Sequence, residues 1–111
     1  MRKIIPYGKH YIDEDDISAV VEVLRHKNLT QGDEVETFEK AVAKYVGAKY
    51  AVACATGTAA LHLSCLALGI SKKSKILTSA VTFVASANCA EFVGANVDFV
   101  DIDNHTHCIS V

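Results

Sequence analysis

No stretch of the 111 residues approaches the roughly 20 consecutive apolar side chains that a membrane helix needs. The opening Met1-Arg2-Lys3-Ile4-Ile5-Pro6 does not read as a secretory leader, because its apolar run stops at once. A basic footprint for nucleic acid is lacking too. Acidic side chains number 13 against 11 basic, the formal net charge is −2, and the densest basic run, Lys72-Lys73 with Lys75, falls in an expected surface turn. The four cysteines, Cys54, Cys65, Cys89 and Cys108, form no C-x-x-C pair and lie among apolar neighbours. That pattern predicts reduced, buried thiols rather than a disulfide scaffold. Together these absences point to a cytoplasmic protein that engages neither membrane nor nucleic acid. The length suits one small domain and is too short for two. Half of the residues are apolar and 22% are charged, as in ordinary globular proteins.

What is present begins with two helices. Asp13 is placed to cap the first, and Glu14, Asp15 and Asp16 put negative charge at its positive dipole end. Ile17, Val20, Val21 and Leu24 recur at helical spacing and form one apolar stripe, while Arg25, His26 and Lys27 close the helix. After the polar break Asn28-Leu29-Thr30-Gln31-Gly32, a second helix is expected over 34–46, with Val35, Phe38, Val42 and Tyr45 on its apolar face and Gly47 as its stop.

From residue 50 the pattern changes. Tyr50 to Ala55 is a short apolar run without polar alternation, which predicts a strand buried on both faces. Thr56-Gly57-Thr58 breaks it. A helix is then expected from Ala59 to Leu68, a strand over Lys75–Thr78, a helix from Phe83 to Val93 and a strand over Val97–Val100. Strand, helix, strand, helix, strand is the pattern of crossover connections in a parallel sheet. The predicted class is therefore α/β: a partial parallel sheet with flanking helices and two open edges. Residues 1–33 form an N-terminal arm and helix, and residues 34–111 an incomplete βαβαβ domain. Val97 to Val100 would offer an unpaired apolar edge, so the isolated chain is expected to be poorly soluble or partly unfolded.

In open parallel sheets ligands bind beyond the carboxyl ends of the strands, and three features fall there. Thr56-Gly57-Thr58 precedes a helix, whose free N–H groups and positive dipole end suit a phosphate, with glycine permitting close approach. The alternative is a plain strand-to-helix turn capped by Thr58. Thr82-Phe83 follows the second strand; the ring could stack on a flat ligand, or it could belong to the core. Asp101 and Asp103 end the third strand, where a cation or ribose contact competes with turn formation. His105, His107 and Cys108 are potential metal ligands in one short stretch without a matching pair elsewhere. His62 and Cys65 lie one turn apart among leucines, which reads as packing, and no Ser–His–acid arrangement is supported.

Several strings also resemble a known family. They are Ile5-Pro6-Tyr7, Ile12-Asp13-Glu14-Asp15-Asp16-Ile17, Leu29-Thr30-Gln31-Gly32 with Phe38-Glu39, Thr56-Gly57-Thr58-Ala59-Ala60-Leu61-His62-Leu63, Thr82-Phe83-Val84-Ala85-Ser86-Ala87-Asn88 and Phe99-Val100-Asp101-Ile102-Asp103. In that order they resemble the opening of the DegT/DnrJ/EryC1/StrS aminotransferases. The third and fifth strings look most like the branch that aminates a UDP-linked 4-keto-6-deoxy-N-acetylaminosugar toward pseudaminic acid. The chain departs from the family pattern at Ala55-Thr56 and Ser79-Ala80-Val81, where Asn-Ser and a proline are common.

The resemblance implies the N-terminal portion of an aspartate-aminotransferase-like large domain, working as a homodimer with pyridoxal 5'-phosphate and glutamate as amino donor. By position, Gly57 and Thr58 would hold the cofactor phosphate and Phe83 would stack on its ring. Tyr7 and Lys27, Asn28, Leu29 and Thr30 would line the UDP-sugar site. The lysine that binds the cofactor covalently and the acid facing its pyridine nitrogen lie beyond Val111 in the family, and none of the nine lysines here occupies that position. No catalytic residue is therefore expected within this chain, which reads as inactive alone. A non-catalytic α/β phosphate-binding module and a truncated product without function are the alternatives.

Overall fold

The computed structural model describes Ile4, Pro6 and residues 8–110. The chain divides after Val52 into two compact units.

The first unit holds α1 (Glu14–His26) and α2 (Asp33–Val46). The start of α1 is a capping box. Asp13 Oδ1 accepts the Asp15 and Asp16 N–H groups, each at 3.1 Å, and Asp16 Oδ2 accepts the Asp13 N–H at 3.2 Å. Arg25 and His26 occupy the last turn, as the charge pattern predicts. The break before α2 closes tightly: a Cβ on Gly32 would stand 2.3 Å from the Asn28 carbonyl oxygen, so only glycine fits. α2 ends where Gly47 turns left-handed at φ 69°, a conformation costly for any residue with a side chain. Both apolar stripes form as expected, yet Ile17, Val20, Leu24, Val35, Phe38 and Tyr45 are exposed, Val21 and Val42 are half-buried, and Ala43 is the buried helical residue of the unit.

The second unit holds α3 (Gly57–Ala67), β1 (Lys75–Ser79), α4 (Ala85–Phe92) and β2 (Asn96–Val100). β1 and β2 pair in parallel, in register from Lys75 with Asn96 to Ser79 with Val100. α4 connects them and packs against both strands and α3. The core is built from small side chains, Cys65, Thr78, Ala85, Cys89, Ala90 and Ala95, which let helix and sheet backbones approach closely. Among the described residues no large side chain is fully buried. The α/β class with a small parallel sheet stands. No helix among the described residues is long and apolar enough to cross a membrane.

Three expectations need correction. Residues 50–55 form no strand, and among the described residues the sheet has two strands rather than three. Apolar composition makes a strand only where a neighbour completes its ladder, and Tyr50 and Val52 remain 75% and 79% exposed. α3 begins at Gly57 rather than Ala59 because Thr56, not Thr58, caps it. Among the cysteines, Cys65 and Cys89 are buried as expected, whereas Cys54 and Cys108 are exposed. Burial, reinforced by contact with the Cys89 thiol, pushes the Cys65 thiol up from its ordinary pKa, which keeps it protonated and unreactive.

Candidate functional site

The start of α3 determines what this region can bind. Thr56 Oγ1 accepts the Ala59 N–H at 3.1 Å, and the Thr56 carbonyl accepts the Ala60 N–H at 3.0 Å. Gly57 and Thr58 are the first two helical residues, and the geometry of a helix start gives their N–H groups no partner within the helix. α1 and α2 carry acidic residues in their first turns; α3 carries none, so the positive end of its dipole is not neutralised from within. A Cβ on Gly57 would meet nothing within 4 Å, so a ligand can approach that backbone directly.

β1 delivers the second element. Beyond its carboxyl end, Ser79 Oγ accepts the Val81 N–H at 3.1 Å and turns the chain toward Thr82-Phe83. The Ser86 N–H donates to the Phe83 carbonyl at 3.0 Å, and the Ala87 and Asn88 N–H groups both donate to Val84. α4 therefore starts at Ala85, two residues later than the apolar pattern predicts, and Phe83 stays in the loop.

The two elements meet at one cavity of about 550 Å³, lined by Gly57, Thr58, Ala60, Leu61, Ser64, Phe83, Ala85 and Ser86. The chain thus brings Gly57, Thr58 and Phe83 together, although 24 residues lie between Thr58 and Phe83. The walls offer two free N–H groups, hydroxyls from Thr58, Ser64 and Ser86, an aromatic ring and aliphatic surface. None of these lining residues carries a charge. Such a set suits a phosphate monoester on a flat apolar ring: the helix start holds the anion and the ring side faces Phe83 and Leu61. The residues present fit a group of that kind. Sequence reasoning missed Ser86, whose spacing of four from Thr82 was the available signal, and also Leu61 and Ser64.

The other sequence candidates lie elsewhere. Tyr7 falls outside the described residues. Lys27 caps the end of α1, and with His26, Asn28 and Asp33 it lines a polar hollow of about 280 Å³ in the first unit. Leu29 and Thr30 are exposed in the turn that follows and do not line it. Lys27 Nζ binds Glu34, and that hydrogen bond and charge raise the ammonium pKa.

Asp103 is a turn former. Its Oδ1 accepts the His105 N–H at 3.0 Å and the Thr106 N–H at 2.8 Å, with the Thr106 hydroxyl at 3.0 Å. The Thr106 bonds, backbone first, hold its carboxyl below the ordinary range. Asp101 Oδ1 accepts the Ile102 N–H at 2.8 Å. Both belong to a hairpin closed by an Ile102–Ile109 bridge, which also carries His105, His107 and Cys108. No group of three or more potential metal ligands forms among the described residues. His62 packs its ring 5.3 Å from that of Phe92, and Cys65 lies in the core, so both serve packing.

Residues 10–111 match the family model described as the DegT/DnrJ/EryC1/StrS aminotransferase family. Over 101 residues the chain is 44% identical to the UDP-4-amino-4,6-dideoxy-N-acetyl-beta-L-altrosamine transaminase of Campylobacter jejuni, covering 91% of this chain and 27% of that protein. It is 41% identical over 102 residues to the spore coat polysaccharide biosynthesis protein SpsC of Bacillus subtilis, covering 92% of this chain and 26% of that one. Among solved structures, a GDP-4-keto-6-deoxymannose-3-dehydratase with a trapped PLP-glutamate geminal diamine superposes with a TM-score of 0.84 at 32% identity, over 95% of this chain and 29% of that one. The chain spans about a quarter of the length of the curated relatives it matches. It belongs to the DegT/DnrJ/EryC1/StrS aminotransferase family, whose cofactor is pyridoxal phosphate.

Proposed function

We propose that the cavity between the start of α3 and the Phe83 loop is the phosphate-and-ring part of a pyridoxal-phosphate site in a nucleotide-sugar aminotransferase. The observation that carries the reading is the convergence of Gly57, Thr58 and Phe83 on one cavity beside unpaired helix-start donors. Gly57 and Thr58 hold the phosphate through their N–H groups and the Thr58 hydroxyl. Phe83 covers one face of the pyridine ring and keeps water from it. Bound there, the cofactor supplies the electron-accepting, amino-carrying chemistry of transamination.

The segment Lys27-Asn28-Leu29-Thr30, with Tyr7, serves the nucleotide sugar. The polar hollow at Lys27 and Asn28 supports a role in binding ribose or phosphate oxygens. The name of the Campylobacter jejuni transaminase, which specifies a UDP-linked 4-amino-4,6-dideoxy-N-acetyl sugar, supports the matching UDP-linked 4-keto-6-deoxy-N-acetylaminosugar as the amino acceptor, and the family resemblance implies glutamate as the donor. Alone, the chain binds cofactor without catalysing transfer, because no lysine among the described residues lines the cavity.

Titration of the chain with pyridoxal 5'-phosphate, followed by cofactor fluorescence anisotropy, tests this. Reversible binding is expected, competed by inorganic phosphate and leaving no borohydride-fixed label on a single lysine. A cooperatively folded chain that binds no cofactor would refute the site, and stoichiometric fixation at one lysine would refute the expected inactivity.

A further inference from the structure

α4 has no side-chain cap: its N-cap position is Val84, which contributes only its backbone carbonyl. The start of the helix is held from inside instead. Ser86 donates its N–H to the Phe83 carbonyl at 3.0 Å, and its Oγ lies 3.0 Å from Thr82 Oγ1, within hydrogen-bond distance. One residue thus grips Phe83 from both sides, through the carbonyl of Phe83 itself and through the side chain before it. The Phe83 side of the cavity has little else to fix it, since this residue is 73% exposed. Ser86 also lines the cavity alongside Phe83, Gly57 and Thr58.

We infer that Ser86, acting through Thr82, is a positioning residue that sets where the Phe83 ring stands over the cavity, and so governs affinity for a flat ligand ring rather than for its phosphate. The inference rests on the cofactor reading above. The two are separable because the phosphate is held by α3, whereas the hydroxyl pair belongs to the loop and α4. A Ser86 that only stabilised the helix start would change the melting temperature without changing which ligand is preferred.

The test compares pyridoxal 5'-phosphate with inorganic phosphate, both titrated calorimetrically into the full chain and its Ser86→Ala, Ser86→Thr, Thr82→Val and Phe83→Leu variants. In the unaltered chain the cofactor binds more tightly than inorganic phosphate. Ser86→Ala and Thr82→Val are each expected to reduce that preference roughly threefold or more, on the scale of one aromatic contact, with inorganic phosphate affinity unchanged. Ser86→Thr keeps the hydroxyl and restores the preference. Combining Ser86→Ala with Phe83→Leu adds no loss beyond Phe83→Leu alone, as required of residues acting as a unit. Equal losses for both ligands, or no loss in either hydroxyl variant, would overturn the inference while leaving the cofactor site standing. An unaltered chain with no preference for the cofactor would overturn the site first and the inference with it. Should Ser86→Ala fail to fold by circular dichroism, the near-isosteric Thr82→Val and the Ser86→Thr rescue decide the matter.

Discussion

Thr56 Oγ1 accepts the Ala59 N–H at 3.1 Å, which removes the third N–H of α3 from the pool of donors and leaves those of Gly57 and Thr58. The cap therefore does two things: it stabilises the helix and it selects which groups face the cavity. Replacing Thr56 by alanine is expected to cost about 1 kcal/mol of stability, the usual value of such a cap. Thr56→Ser keeps the oxygen and should recover most of it. Urea unfolding followed by helix circular dichroism measures both, and equal midpoints for Thr56→Ala and the unaltered chain would show that the bond contributes nothing.

Gly57→Pro separates helix stability from phosphate binding. Proline is well accommodated at the first position of a helix, where its missing N–H would have no internal partner. The residue before it must be extended, and Thr56 already is, at φ −151° and ψ 157°. The fold should persist while one phosphate donor disappears. A hydrogen bond to a charged group contributes about 1.5–3 kcal/mol, so phosphate affinity should fall roughly tenfold to a hundredfold. Unchanged affinity in the folded variant would remove the Gly57 N–H from the site.

The sequence was legible wherever structure follows from local chemistry. Asp13, the alternating charge at the ends of α1, and Gly47 after α2 act within a few residues of themselves, and each does what its position predicts. Residues 50–55 were misread because a strand is a relation between segments, and apolar side chains do not supply the neighbour. The boundaries of α3 and α4 shifted for a related reason. Periodicity marks where apolar residues recur, but the helix begins where the chain offers an acceptor to its early N–H groups, Thr56 to Ala59 and Ala60 in one case and Phe83 to Ser86 in the other. Gly57, Thr58 and Phe83 were nameable from the pattern and the family likeness. Their shared cavity, and the part of Ser86 in it, needed the packing of α4 on α3.

Asp103 makes the hairpin over residues 101–110 sensitive to acid. Its carboxylate accepts bonds from Thr106 and His105, which favour the charged form and depress its folded pKa. A depressed carboxyl pKa contributes stability that is fully present above the unfolded value and is lost as pH falls through the folded one. The hairpin should therefore hold at neutral pH and loosen only below the ordinary aspartate value of 3.8. The Asp103 carboxyl carbon, followed by NMR, should titrate below that value, and the Thr106 amide should move with it. Asp103→Ala should abolish the amide titration and open the turn at all pH values. A midpoint at or above the ordinary value would contradict the bonding described.

β2 pairs with β1 along one edge only among the described residues, and Phe99 on it is 62% exposed. An unpaired strand edge carrying an exposed aromatic is a template for a second copy. The isolated chain is expected to self-associate at micromolar concentration and to bind an apolar dye. Phe99→Lys places a charge on that edge without disturbing buried packing. Burying a phenylalanine contributes about 1.5–3 kcal/mol, so this change should weaken association roughly tenfold or more. Sedimentation velocity reads the shift from oligomer to monomer, while circular dichroism checks that the helices persist. If the unaltered chain sediments as a monomer with a sharp unfolding transition, the open edge is not the liability that its exposure implies, and the surfaces of the second unit are stable in water without a covering partner.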